Sequence, residues 1–220
     1  TPTGYGDSPY QSLGACAGNH YLIDLDRLAD EGLLKKEEIQ NIPWGSNPAR
    51  VDFGAMYAHR MNVLRQAFQR FTPDGAYETF VEQNRNWLED YALFTALKDT
   101  LGGKPWLEWP EALRLRKADA LTEKRRELSD EIRLQYFVQY EFDRQWKALR
   151  SYANAKGVRI IGDVPIYVPL DSADVWANPE LFQLDESRHP EQVAGCPPDS
   201  FTADGQLWGN PIYDWKKMAQ

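Results

Sequence analysis

One carboxylate, that of Asp163, lies where chemistry is expected. The preceding run from Val158 to Ile161 is short, apolar and rich in branched residues, which is typical of a buried strand. Gly162 and Pro165 end this run, so Asp163 is expected where the strand leaves the core. In a barrel of alternating strands and helices, a carboxylate at that point projects into the face that binds substrates. An aspartate that only caps a turn fits the same pattern, so both interpretations stay open.

The elements that must position this carboxylate are mostly helical. Apolar residues at helical spacing predict helices over 22–34, 53–71, 87–101 and 129–156. Asp52 and Ser129 are expected to cap the second and fourth of them, and Ser172 a short helix over 173–177. Roughly a hundred residues are therefore helical before the predicted strand appears, which is not the pattern of a plain alternating barrel.

Three segments rich in proline, glycine or aromatic residues interrupt the helices. Residues 105–110 contain too much proline for a helix interior, and their tryptophans are expected to dock between helices rather than clamp a ligand. Residues 1–12 and 194–211 are predicted loops. The second loop exceeds ~12–15 residues, a length that usually indicates function or disorder. Its aromatic residues favour function.

Composition and charge exclude some classes of function. The 220 residues carry a net charge of −8, which disfavours a nucleic-acid partner because phosphate binding needs clustered Lys and Arg. The hydrophobic share of 42% and the charged share of 26% are ordinary for a soluble globular protein. Aromatic side chains, among them 8 Trp and 11 Tyr, suit stacking on sugar rings, although they also fill cores.

Metals, disulfides and membranes are not expected. Cys16, Cys196 and the three histidines have no metal-type spacing and form no disulfide framework. No apolar run approaches the ~20 residues of a membrane span, and no signal peptide is visible. Thr1, in place of an initiator Met, indicates a segment from inside a longer chain. We expect a cytoplasmic protein with no membrane partner.

Three motifs, in this order, resemble those of the amylomaltases, the 4-α-glucanotransferases of glycoside hydrolase family 77. They are Gly4–Gln11, the strand end Gly162–Pro165, and the loop from Gly195 to Tyr213. The resemblance covers essentially the whole chain, whereas the chain covers only part of the family's length. It implies an α/β fold, a partial (β/α)8 TIM barrel truncated at both ends. Residues 1–20 would be a loop lining the cleft, 21–156 a mainly helical insertion, and 157–220 a barrel strand with its loops.

The resemblance also implies a glucan-binding role for particular residues. Tyr5 matches a tyrosine of a secondary glucan site outside the cleft. Ser200 stands where the family often has an aromatic residue, which weakens the case for a stacking contact there. The residues that match positions beside the bound glucan in the cleft are Ser8, Tyr10, Asp163, Asp199, Phe201, Gln206, Trp208 and Asn210.

Catalysis by such an enzyme would need residues that this chain lacks. Glycosyl transfer with retention uses two carboxyl groups about 5–5.5 Å apart. The family's nucleophile lies in an Arg-Ile-Asp-His stretch, which does not occur here. We therefore expect no catalytic residue in this segment and expect the nucleophile and the acid/base C-terminal to Gln220. The partners would be maltodextrins, with no cofactor and no metal. Two alternatives stay open: an α-glucan hydrolase segment, and a non-catalytic glucan-binding module.

Overall fold

The computed structural model describes residues 1–219, except for the side chain of Tyr5. The chain divides into two compact units. The first comprises Thr1–Ala17, Trp87–Ile132 and Gly162–Gln220, and the second comprises Gly18–Asn86 and Arg133–Ile161. The division into 1–20, 21–156 and 157–220 remains a prediction, and the two units cut the helical region at other points.

Helices dominate the described residues. The helices are α1 Leu25–Asp30, α2 Lys36–Gln40, α3 Phe53–Arg70, α4 Gly75–Gln83, α5 Arg85–Thr100, α6 Glu111–Arg114, α7 Ala118–Glu127, α8 Ser129–Ala155, α9 Ala173–Ala177 and α10 Trp215–Met218. Short 3-10 turns span Tyr5–Asp7, Pro9–Gln11, His20–Leu22, Trp106–Glu108 and Pro179–Leu181. The strands β1 Val193–Cys196 and β2 Gln206–Pro211 form a two-stranded antiparallel sheet.

The second unit is built around a helical core. Leu28, Leu64 and Leu134 are fully buried there, on α1, α3 and α8. The Asp52 carboxylate accepts a hydrogen bond from the Ala55 amide at the start of α3, which confirms the predicted cap. The helix predicted over 22–34 is shorter than predicted, because Asp24 caps its start and α1 spans only Leu25–Asp30.

The first unit packs around tryptophans. Trp106 and Trp109 are almost fully buried, and the Trp109 ring lies 5.2 Å from Phe94 and 5.7 Å from Trp176 between ring centroids. Phe94 belongs to α5 and Trp176 to α9, so the docking of segment 105–110 between helices is confirmed. Ser172 caps α9 by accepting a hydrogen bond from the Val175 amide, also as predicted.

The buried strand predicted over Val158–Ile161 is not formed within residues 1–219. These residues follow α8 without forming a strand, and Ile161 is 94% exposed. A strand needs neighbours for its backbone groups, and the one sheet of residues 1–219 pairs β1 only with β2. The unstructured loop predicted over 194–211 is wrong, because most of it forms this β1–β2 hairpin.

Hydrogen exchange should distinguish this segment from the helix before it. We expect the amides of Ile160 and Ile161 to exchange near the rate of an unprotected peptide, because they lie exposed outside any described strand. The interior of α8 should exchange several orders of magnitude more slowly, since exchange there requires the helix to open. Mass spectrometry of the purified monomer measures both. Equal protection of the two segments would contradict the structure.

Candidate functional site

A pocket in the first unit has a volume of about 460 Å³. It lies where the N-terminal segment, the segment after residue 162 and strand β2 meet. The first segment is turned by two short 3-10 helices, and β2 is held by pairing with β1. The lining residues are Tyr10, Gln11, Asp163, Val164, Pro165, Ile166, Tyr167, Trp208 and Asn210.

A hydrogen bond between Tyr10 and Asp163 joins two sides of this pocket. The Tyr10 hydroxyl donates to Oδ2 of Asp163 at 2.7 Å. The Ser8 side chain caps the turn that presents the tyrosine, because its Oγ accepts from the Tyr10 amide at 3.2 Å. The hydrogen bond to Asp163, followed by the charge of that carboxylate, raises the pKa of Tyr10. The Tyr10 phenol therefore stays protonated as a donor well above neutral pH.

Asn210 fixes strand β2 to the segment that carries Asp163. Its side chain is buried, and its Nδ2 donates to the backbone carbonyl of Val168 at 2.9 Å. A buried amide without a partner would cost free energy, so this bond fixes the side chain in place. Asn210 was predicted as a contact to glucan hydroxyls. Asn210 does line the pocket, but its side-chain amide also holds the fold together through the hydrogen bond to Val168.

Trp208 supplies the broad aromatic surface of the pocket. Its indole Nε1 donates to Oε1 of Gln206 at 2.9 Å, which fixes the plane of the ring. The Tyr167 ring lies 6.3 Å from it, and Tyr167 stacks on Tyr213 at 5.8 Å with an interplanar angle of 11°. The indole remains 39% exposed, so one part of it is supported and another part faces solvent.

Four of the predicted residues do not line this pocket: Ser8, Asp199, Phe201 and Gln206. Asp199 and Phe201 belong to the hairpin loop 197–205 and do not line the cavity. The Asp199 carboxylate accepts hydrogen bonds from the amides of Phe201 and Thr202, and these bonds lower its pKa. Phe201 is 89% exposed. In this conformation the Asp199 carboxylate holds its own loop.

One predicted site lies outside the described side chains, and two lining residues were not predicted. The secondary glucan site at Tyr5 concerns a side chain outside the described part of the structure. Sequence reasoning missed Gln11 and Tyr167 as lining residues. Gln11 stands inside the first motif, which could have signalled it. Tyr167 lies beside the Gly162–Pro165 motif, and only the fold brings it against Trp208.

No cation site accompanies the pocket in the residues that the structure describes. Among residues 1–219, no group of three or more His, Cys, Asp or Glu side chains could hold a metal ion. A single carboxylate, Asp163, lines the pocket. None of the helices among the described residues is both long and apolar enough to cross a membrane.

The chain that forms this polar and aromatic pocket matches a known protein family. The family model described as 4-alpha-glucanotransferase, glycoside hydrolase family 77, matches residues 1–220, and the chain belongs to this family. A 4-alpha-glucanotransferase from Thermus thermophilus is 51% identical over an alignment of 220 residues. That alignment covers 97% of this chain and 43% of the relative. One from Clostridium butyricum is 46% identical over 216 residues, 97% of this chain and 44% of the relative.

Two solved amylomaltase structures are similar to this chain. An amylomaltase from Streptococcus agalactiae, in complex with acarbose, has a TM-score of 0.94 and 44% identity, covering all of this chain and 45% of its own. An amylomaltase from Corynebacterium glutamicum, at 18% identity and a TM-score of 0.68, shares the fold. The chain thus spans less than half the length of the relatives it matches.

The Tyr10–Asp163 pair predicts a measurable titration. Replacing Asp163→Asn removes the nearby negative charge, so the pKa of Tyr10 should fall toward the ordinary tyrosine value of about 10. In the unaltered protein the bond persists at neutral pH and is lost as the pH rises through the raised pKa, because a phenolate has no proton to donate. NMR titration of ¹³C-labelled tyrosine, assigned with Tyr10→Phe, follows this change.

Asp199→Asn is the matched control, because it removes the same charge from a carboxylate bonded within its own loop. An equal change of the Tyr10 pKa in both variants, or no change in either, would contradict the pairing.

Proposed function

We propose that this chain is part of a 4-α-glucanotransferase that transfers α-1,4-glucan segments between maltodextrins. The observation that carries this proposal is the family match across residues 1–220. In this proposal the chain provides one wall of the glucan-binding cleft. The solved amylomaltase in complex with acarbose supports a glucan-like ligand, since that structure has a TM-score of 0.94 to this chain.

The proposed mechanism is retaining double displacement. It requires a nucleophile and an acid/base, two carboxyl groups about 5–5.5 Å apart. Asp163 is the single carboxylate lining the described pocket, and its Oδ2 already accepts a hydrogen bond from the Tyr10 hydroxyl. We therefore assign Asp163 and Tyr10 to glucan binding and positioning. The nucleophile and the acid/base would follow Gln220 in the longer protein.

The partial barrel belongs to the same proposal. In the longer protein, Val158–Ile161 would be a barrel strand paired with strands supplied by the rest of the chain. The exposure of Ile161 and the apolar Val164 supports this, because such side chains are usually covered. Because this chain matches less than half of each relative, the rest of a protein of that length could cover these two side chains.

The hairpin loop 197–205 is proposed to close over the bound glucan. Phe201, at its tip, is almost fully exposed and would gain an apolar contact with a sugar ring. Asp199 holds the turn through two amide hydrogen bonds and would meet glucan hydroxyls with its remaining acceptor capacity. Excluding water in this way favours a sugar acceptor over hydrolysis.

Incubation with maltotriose tests the assignment of the catalytic residues. We expect residues 1–220 alone to form no glucose and no longer maltodextrins, because removing catalytic groups costs several orders of magnitude in rate and preorganised charge stabilisation goes with them. The full-length protein, run as the positive control, should form both products, resolved by chromatography. Glucose without longer products would indicate a hydrolase instead. Turnover by residues 1–220 that disappears in Asp163→Asn or Asp199→Asn would show that the carboxylates are misassigned.

Trp208→Ala tests the sugar-stacking surface in the full-length protein. By analogy with bases stacked on aromatic rings, the loss should be about 1–3 kcal/mol in transition-state binding, or roughly 5- to 150-fold in kcat/KM for maltodextrin transfer. The melting temperature should change little, because the indole is partly exposed.

Trp215→Ala is the matched control. That indole is 66% exposed on α10 and contacts Tyr213, but it does not line the pocket. If Trp208→Ala lowers the melting temperature and leaves transfer intact, Trp208 is a packing residue and the stacking role fails.

A further inference from the structure

A second pocket in the first unit is rich in arginine. It has a volume of about 180 Å³, and its lining includes Arg114, Arg116, Arg188 and one carboxylate, that of Glu180. The chain as a whole carries a net charge of −8, so this concentration of positive charge runs against its composition. None of these residues lines the pocket around Tyr10.

Two of the arginines are held in place by the surrounding structure. The guanidinium of Arg116 lies 4.2 Å above the Trp176 ring, and its Nη2 donates to Oδ1 of Asp90 at 2.8 Å. Nη1 of Arg114 donates to the backbone carbonyl of Ser187 at 2.9 Å. These contacts fix two guanidinium groups at the pocket before any ligand arrives, which lowers the entropic cost of binding.

One hydrogen-bond donor of Arg116 has no partner. Its Nη1 is buried and forms no hydrogen bond within the described part of the chain. Buried donors are almost always paired, because an unpaired one loses its bonds to water and gains none. An oxyanion is the natural partner for a guanidinium, which presents its N–H groups as a planar fork.

The backbone gives an independent indication. Arg116 has φ of 55° and Arg188 has φ of 72°, in the left-handed region that favours glycine. Arg116 follows Leu115, the C-cap residue of α6, at the position where glycine is the usual residue. Apart from glycines, Asp7 is the one other residue of 1–219 with positive φ. Strained backbone of this kind clusters at functional sites, so two arginines in this conformation on one pocket favour a use for their side chains.

The size of the pocket limits the ligand. Its volume is below the range of about 300–1,000 Å³ that is usual for organic ligands. The rings of Trp106 and Trp176 are almost fully buried, so they offer no open face for a sugar. We propose that this pocket binds a phosphate group, either as inorganic phosphate or as the phosphate of a small monoester, through Arg114, Arg116 and Arg188.

Calorimetric titration of the purified protein with inorganic phosphate, at fixed ionic strength, tests this site. We expect saturable binding at one site. Arg188→Gln should weaken it about 10- to 100-fold, the loss expected for one hydrogen bond between charged groups. Arg126→Gln removes the same charge from an exposed position on α7 and should leave binding unchanged.

Arg188→Gly separates binding from folding. Glycine suits a φ of 72°, so this variant should match or exceed the melting temperature of the unaltered protein while binding phosphate as weakly as Arg188→Gln. If neither inorganic phosphate nor a monoester binds saturably, the arginines only hold loops and the proposal fails. It fails equally if Arg126→Gln weakens binding as much as Arg188→Gln does, because the effect is then one of general charge.

A second titration, with a hexose 6-phosphate, distinguishes a phosphate monoester from free phosphate as the ligand. Tighter binding than that of inorganic phosphate assigns the site to a monoester, whereas weaker binding assigns it to the free ion. In both cases the loss on Arg188→Gln should be the same, because the arginine contacts the shared phosphate group.

Discussion

The candidate site depends on contacts between parts of the chain that are far apart in sequence. The Tyr10 hydroxyl bonds Asp163 across 153 positions, and the Ala15 amide bonds the Asp174 carboxylate at 2.9 Å across 159 positions. The entropic cost of closing a loop grows only with the logarithm of its length, so a few such contacts can hold the segments together. These contacts join the two segments from which much of the pocket lining comes.

Local chemistry was readable from the sequence, and pairing between distant strands was not. Asp52 and Ser172 were predicted as caps because an N-cap needs only its own following residues. The apolar run Val158–Ile161 indicates a strand, but nothing in the run says whether its neighbours are present. Gly195 suggested a loop, yet it lies in β1, where a Cβ would approach the carbonyl oxygen of Gln206 to 2.3 Å. There glycine permits the strands to come together.

The two pockets differ in how far the sequence alone predicts them. Tyr10 and Asp163 stand inside motifs, so their shared pocket could be expected from the sequence. Arg116 and Arg188 are 72 positions apart in ordinary polar segments, and only the fold of the first unit places them on one cavity. The motifs group Asp199 with the cleft residues, and that role remains a prediction. In this structure its carboxylate accepts hydrogen bonds from two amides of its own loop.

The aromatic wall of the first pocket combines rigidity with exposure. Phe182 lies 5.3 Å from Tyr213, which stacks on Tyr167, and Tyr167 in turn contacts Trp208. Buried Phe182 therefore anchors a series of rings whose last member faces solvent. A flat surface held in this way can meet a ligand ring without first being ordered, so less of the contact free energy is lost to entropy. Phe201 lacks such support, and any contact it makes must also order its loop.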